Sequence, residues 1–345
     1  MMNINQSPSL EEWKALYKAA HEFKELAPWN WMHDTDIFGI KDPVSGEIGY
    51  CCIMGAEGKF YALGLYLGSK GLCGLSDILS GDTSEFNDEA MFIQNCLMAS
   101  FENRKNLTPQ DIQPIKALGL KFRGHNAWPL FRNYATGFVP WHLKKDEVRF
   151  LTIALQQAMD VSLSFKNNPG MLDHPSDLHY FFVRVPDESG EIIAWNDEWL
   201  EPSPLEMDNA PVVPVKETTL NRLKNARLKR KGIWEIDFFY APSIIRDKDE
   251  RPYFPYVSLV VDHYSAFIFD FKLENEAVCK LAFPVKFADF IERAKVMPDE
   301  LLVKSYEVYR ILEPLSDELG IEINMVENLP ALESVRESMK DFFER

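Results

Sequence analysis

Trp234-Glu235-Ile236-Asp237-Phe238-Phe239 and, about 25 residues further on, Val260-Val261-Asp262-His263-Tyr264-Ser265 decide how this chain is read. Both are short apolar runs rich in β-branched and aromatic residues, each with carboxylates set among them, which is the pattern of buried strands. Reading outward, 233–240, 256–262 and 267–273 are three adjoining strands. Then come a helix at 287–295, a strand at 301–304, a helix at 308–319, a strand at 321–326 and a closing helix at 332–343. A run of adjoining strands followed by alternating helix and strand calls for one mixed sheet with a parallel crossover.

That order resembles the ribonuclease H core of transposases and retroviral integrases. In that family the first catalytic Asp lies in a Trp-x-x-Asp strand, matched here at Asp237, and a hydrophobic-hydrophobic-Asp-x-x-Ser motif ends the second strand, matched at Asp262. The family's second catalytic Asp follows a Pro-led strand; counting from Pro298 through Leu301-Leu302-Val303 lands on Lys304 or Ser305, with Glu307 the nearest carboxylate. Its catalytic Glu opens the last helix ahead of a basic residue, which fits Glu333 and Arg336. The resemblance implies Asp237 and Glu333 as catalytic residues, and Asp237, Asp262, Glu307 and Glu333 as ligands for Mg²⁺ or Mn²⁺.

Two divalent ions about 3.5–4 Å apart need oxygen ligands on both sides, and a Lys in place of one acid sets a positive charge beside them. The expectation is therefore a non-catalytic binding or scaffolding protein built on a degenerate integrase-like core. The alternative is a Mg²⁺- or Mn²⁺-dependent nuclease or nucleic-acid-processing enzyme with an altered carboxylate site. For Asp262 a turn-forming role competes with metal binding, and for Glu333 that of an acid at a helix N-terminus.

The expected fold class is an α+β domain at 1–200, a Pro-rich linker at 201–215 and an α/β ribonuclease H-like (integrase-like) domain at 216–345. In the first part the residues predict a helix from Ser9, three antiparallel strands at 36–41, 48–54 and 60–67, and helices at 71–79, 85–103 and 146–163. Residues 127–143 read as an aromatic crossing without regular structure, and 180–185 with 192–195 as a hairpin. Trp29-Asn30-Trp31-Met32, Gly46 to Cys52, Trp128 to Arg132 and Arg251 to Pro255 together resemble a bacterial two-domain family of unknown function. That resemblance implies no activity.

Composition narrows the partners. The chain is 345 residues long with 46% hydrophobic content, enough for two cores. No apolar run approaches the roughly 18 residues of a membrane helix, and 1–12 has neither a basic start nor an apolar stretch, so a cytoplasmic protein without membrane contact is expected. Five cysteines at 51, 52, 73, 96 and 279 lack metal-site spacing and are expected to be reduced core thiols. The net charge of −16 disfavours general contact with phosphate backbones. About three quarters of that excess precedes Pro214, however, and 216–231 reads as a basic helix carrying Lys224, Arg227, Arg230 and Lys231. Nucleic acid or an acidic protein is its expected partner, with a solvated helical face as the other reading.

Trp29, Trp31, Trp128 and Trp141 are either cleft-lining or core residues. His33-Asp34-Thr35-Asp36 and the pair His174 and His179 read as polar turns more readily than as metal sites. No nucleophile elbow, phosphate loop or dinucleotide fingerprint occurs.

Overall fold

In the computed structural model, which describes residues 7–80, 89–174, 176, 179–187, 194–204, 213–226, 228–246 and 250–343, Ser9 starts the first helix, α1 (Leu10–Leu26). Its hydroxyl accepts the Glu12 N–H while the Glu12 carboxylate accepts the Ser9 N–H at 2.7 Å, so two end groups satisfy each other. Ala27 then adopts a left-handed conformation and Pro28 follows, which ends the helix. Strands β1 (Phe38–Lys41), β2 (Ile48–Met54) and β3 (Ala62–Leu67) run antiparallel in sequence.

Helix α2 (Gly68–Ser80) leaves β3 directly. It approaches so closely that a Cβ on Gly71 would sit 2.7 Å from the Asn95 carbonyl oxygen and from the Tyr66 backbone carbon, which only glycine avoids. Beyond residues 81–88 come α3 (Glu89–Ile93) and β4 (Cys96–Glu102). The helix expected at 85–103 is thus mainly a strand. Cys96 and Met98 face one layer while Leu97, Ala99 and Phe101 face the other, so both sides are apolar and the run imitates a helical stripe.

Next are α4 (Pro109–Ala117) and β5 (Trp128–Tyr134). The crossing expected without regular structure therefore contains the outermost strand of a sheet, where Pro129 is tolerated. Helix α5 (Lys145–Asn167) leads to β6 (Phe181–Asp187) and β7 (Ala194–Leu200); the intervening turn lies outside the described residues. These strands form one seven-stranded sheet, β5-β4-β3-β2-β1-β6-β7, antiparallel except where β1 meets β6. α1 and α5 cover one face through Leu16, Phe23, Leu151, Leu155 and their neighbours; α2 covers part of the other through Leu72 and Leu75.

The chain divides into two compact units, Met1–Leu205 and Glu206–Arg345. Residues 205–212 of the expected linker lie outside the described residues. In the second unit, α6 (Glu217–Asn225) is followed by a two-residue strand, β8 (Lys229–Arg230). The expected basic helix at 216–231 accordingly stops at Asn225, because Lys229 and Arg230 pair with another strand instead.

Then come β9 (Ile233–Tyr240), β10 (Tyr256–Asp262), β11 (Ile268–Glu274), α7 (Glu276–Ala294), β12 (Val296–Met297), β13 (Glu300–Val303), α8 (Tyr306–Leu319), β14 (Glu322–Met325) and α9 (Pro330–Phe343). The main sheet has the order β11-β10-β9-β13-β14. β9 is antiparallel to β10 and parallel to β13, and β13 is parallel to β14; β12 pairs with β8. Alternation along β9 sends Trp234, Ile236 and Phe238 toward α7 and α8, and Glu235 and Phe239 toward α9.

Cys51, Cys52, Cys96 and Cys279 are buried free thiols, with burial pushing Cys52 and Cys279 up to about 12. Cys73 is exposed, contrary to its expected place in the core. No helix among the described residues is long and apolar enough to cross a membrane.

Candidate functional site

β9 is the strand on which the expected carboxylates should converge, and its registers show where each lies. Asp237, half-buried, stands opposite Leu259, whereas Asp262 stands opposite Trp234, an odd number of residues away. Strand alternation therefore turns Asp237 and Asp262 to opposite faces. Asp262 is occupied locally: its Oδ1 accepts the Ser265 hydroxyl at 2.7 Å and the N–H groups of Ser265 at 2.8 Å and Tyr264 at 3.2 Å. The Ser265 hydroxyl bond leads in holding its carboxyl below the usual range, with a smaller contribution from Lys231. This is the turn-forming reading of Asp262.

Glu307 opens α8 on the Trp234 side and meets Lys280 of α7 at 2.6 Å; Lys280 also holds Glu276 at 2.7 Å. Burial works against the Lys280 charge, but the two carboxylates outweigh it and raise its pKa. Glu333 lies exposed in the first turn of α9. Of the four expected ligands, only Asp237 and Glu333 are associated with the α9 side of the sheet. Among the described residues no three His, Cys, Asp or Glu side chains gather as a metal site. Leu302 and Val303 pair with Glu235 and Ile236, so Lys304, one residue on and exposed, follows the register to the level of Asp237.

The carboxylate that the sequence reading passed over is Glu235. It is fully buried, accepts the backbone N–H of Leu332 at 2.7 Å and of Ala331 at 3.4 Å, and lies 2.5 Å from Nδ1 of His263. Helix N-termini present unpaired N–H groups and a partial positive charge, and here a strand glutamate supplies the acceptor from 96 and 97 residues away. The Pro330 ring fits the helix start, where no N–H is required.

Basic residues of the expected binding segment are largely engaged within their own unit. Lys224 pairs with Glu318, the neighbouring Arg222 with Glu292 at 2.8 Å, and Arg230 donates to the Leu319 carbonyl at 3.0 Å. Lys231 is exposed at the end of β8, and Arg227 lies outside the described residues.

The first unit holds a second polar cluster with no local sequence signature. Asp111 caps α4 with Thr108 and receives Arg132 through two bonds of 2.6 and 2.8 Å; His142 Nδ1 lies 3.3 Å away. Burial pushes the Asp111 carboxyl up, but hydrogen bonds from Arg132, His142 and Thr108 prevail and hold it far below the carboxylate range. The cluster borders a cavity of about 190 Å³ lined by Trp13, Tyr17, Phe131, Pro114, Gln110 and His142.

The Trp residues weighed as cleft-lining are elsewhere. Trp29 is in the core, and Trp31 donates to the Ser162 carbonyl at 2.9 Å beneath Lys166. Arg104 covers Trp128, and Trp141 is half-buried. Of the expected polar turns, the His33 N–H donates to Asp36 at 2.7 Å, and the His174 ring packs on Tyr180 and Trp199.

Residues 13–184 match the family model Domain of unknown function (DUF7309), and residues 219–340 match Domain of unknown function (DUF6930). The chain carries two domains of unknown function in tandem. The DUF7309 match takes in the Asp111 cluster, and the DUF6930 match takes in Glu235 and all four expected metal ligands. No curated protein matches the chain. Among solved structures, the catalytic core domain of BIV integrase is similar at 15% identity and a TM-score of 0.24, over 32% of this chain and 66% of that one. At that score the likeness decides nothing about the DUF6930 fold.

Proposed function

We propose that the DUF6930 domain is a ribonuclease H-like core of the integrase type that no longer supports two-metal chemistry and serves as a non-catalytic binding or scaffolding domain. The strand order, with three antiparallel strands and two added in parallel beside the first, supports the fold reading. The observation that carries the functional reading is the division of the carboxylates: Asp237 on one face of the sheet, Asp262 on the other within its own turn, and Glu307 bound to Lys280. Two-metal catalysis needs these oxygens around one pair of ions, and the lysine that follows the register of Asp237 opposes that charge. Glu235, the nearest additional acid on the strand, is committed to the start of α9.

Thermal unfolding with and without millimolar Mn²⁺, on the wild type and Asp237→Asn, tests this. An ion that binds only the folded state at a hundred times its Kd adds about 2.7 kcal/mol. The expected result is the same small response in both proteins and no cleavage of single- or double-stranded nucleic acid. A stabilisation present in the wild type and lost in the variant would favour the Mg²⁺- or Mn²⁺-dependent nuclease instead.

A further inference from the structure

Between Asn103 and His125 five lysines and arginines stand against one acid, Asp111, which is already bound to Arg132, whereas the rest of residues 1–205 holds 12 basic residues against 26 acids. Positive charge is thus gathered into one short stretch of an acidic domain. Packing places it. Phe122 lies against Tyr17 of α1 and Trp128 of β5, with ring centroids 6.1 and 5.7 Å away, so the loop after α4 is pinned by its apolar residue while Lys121 and Arg123 on either side are exposed. The loop is tied again where the Asn126 N–H donates to Asn103 Oδ1 at 3.3 Å and the Asn126 carbonyl accepts the Lys24 ammonium at 2.6 Å. Arg104, itself exposed, lies over Trp128 with its guanidinium carbon 5.2 Å from the ring centroid, and exposed Lys105 follows it.

These cations differ from the basic run of the second domain, where Lys224, Arg222 and Arg230 are taken up by Glu318, Glu292 and the Leu319 carbonyl. Among the described residues the side chains of Lys105, Lys121 and Arg123 make no ion pair or hydrogen bond. Of the acids beside them, Glu102 takes the Asn106 amide at 2.7 Å and Glu25 follows Lys24 in α1. Like charges held close together repel, and an anionic partner relieves that cost. The Arg104 guanidinium adds a second property, because a charged plane backed by an indole ring is a platform on which a nucleic-acid base stacks.

We propose that this surface binds single-stranded nucleic acid, with phosphates on Lys105, Lys121 and Arg123 and a base on the Arg104–Trp128 stack. A duplex keeps its bases stacked on one another and offers nothing to that platform. With few phosphate contacts on a chain of net charge −16, the binding is weak, strongly opposed by salt and tolerant of sequence. The proposal lies wholly in the first domain and does not depend on how the second is read.

Fluorescence anisotropy of labelled oligouridylate and oligodeoxythymidylate with the full chain, at stepped NaCl, provides the test. Four cations on a single strand give a log–log salt slope of about −3, so affinity should fall about fiftyfold between about 50 and 200 mM. Lys121→Gln/Arg123→Gln removes two of the four contacts and should halve the slope to about −1.5, with at least about a tenfold loss of affinity at the lower salt. Arg104→Lys keeps the charge and removes the plane, so affinity should drop about fivefold while the slope stays. Lys70→Gln, on α2 and the opposite face of the sheet from α1, should change neither. The replaced side chains are all exposed, and unchanged thermal unfolding confirms that each variant keeps the fold. No binding at about 100 µM protein in low salt, duplex bound as tightly as single strands, or a Gln pair or Arg104→Lys variant that binds like the wild type would each overturn the proposal. Binding to phosphatidylserine vesicles in place of the oligonucleotides would overturn it as well.

Discussion

Replacing Glu235 with Ala removes the acceptor on which the start of α9 and His263 both depend. Two of its bonds are short, to Leu332 N–H at 2.7 Å and to His263 at 2.5 Å, and the side chain is fully buried. Leaving a buried donor without its acceptor costs about 1–3 kcal/mol, and truncation here strands the Leu332 N–H and the His263 ring together. The expected loss is about 3–5 kcal/mol in the second domain. Glu235→Gln keeps one carbonyl oxygen and the side-chain shape, so about half that loss is expected. Hydrogen exchange read by mass spectrometry on peptides spanning 328–339, alongside calorimetry of the whole chain, separates opening of α9 from global unfolding. An Ala variant within about 0.5 kcal/mol of wild type, with unchanged protection at Ala331 and Leu332, would refute the reasoning.

In the first domain, burial raises the Asp42 carboxyl, but bonds from Arg149, Ser45 and the Val44 N–H outweigh it and leave a value of about 2, below the ordinary 3.8. A lowered folded value means a stabilisation present in full above the unfolded pKa and lost as pH falls from about 4 toward about 2. Asp42→Asn should flatten the stability curve of the first domain in that window, as measured by denaturant unfolding at stepped pH; an unchanged slope would show that Asp42 contributes nothing there. Arg132→Ala leaves the buried Asp111 with only His142 and Thr108, and calorimetry should record a loss of about 2–4 kcal/mol in the same domain, against a loss under about 0.5 kcal/mol if the pair is dispensable.

Elements whose apolar residues follow a single period were legible in the sequence. The strands around Trp234 to Phe239 and Val257 to Val261, and helices α1 and α5, fall where period and end signals put them. β4 was misread because burial on both faces erases alternation, and β5 because Pro129 signals a break unless the strand is known to be outermost. The basic stretch reads as one helix by composition, while pairing of Lys229 and Arg230 with Val296 and Met297 cuts it short.

The candidate site was less legible still. Asp237 and Asp262 are adjacent in any motif scan, but the parity that sends them to opposite faces depends on the register of β9 and β10. Glu235 belongs to the same quoted strand and was overlooked because His263 and α9 reach it only through the fold. Asp111, Arg132 and His142 come from three segments with no shared motif.

The single parallel contact of the first sheet has a consequence for synthesis. β1 is paired with β2 early, yet its other edge waits for β6, which the ribosome delivers roughly 140 residues later, about 7–30 s at ordinary elongation rates. Through that interval Phe38 to Lys41 present an open hydrogen-bonding edge, and the long α5 must be made and laid across the sheet before the edge is covered. The nascent chain is then most exposed to pairing with its neighbours on a polysome, and it is the arrival of Phe182 and Val183, rather than completion of the first five strands, that closes this danger.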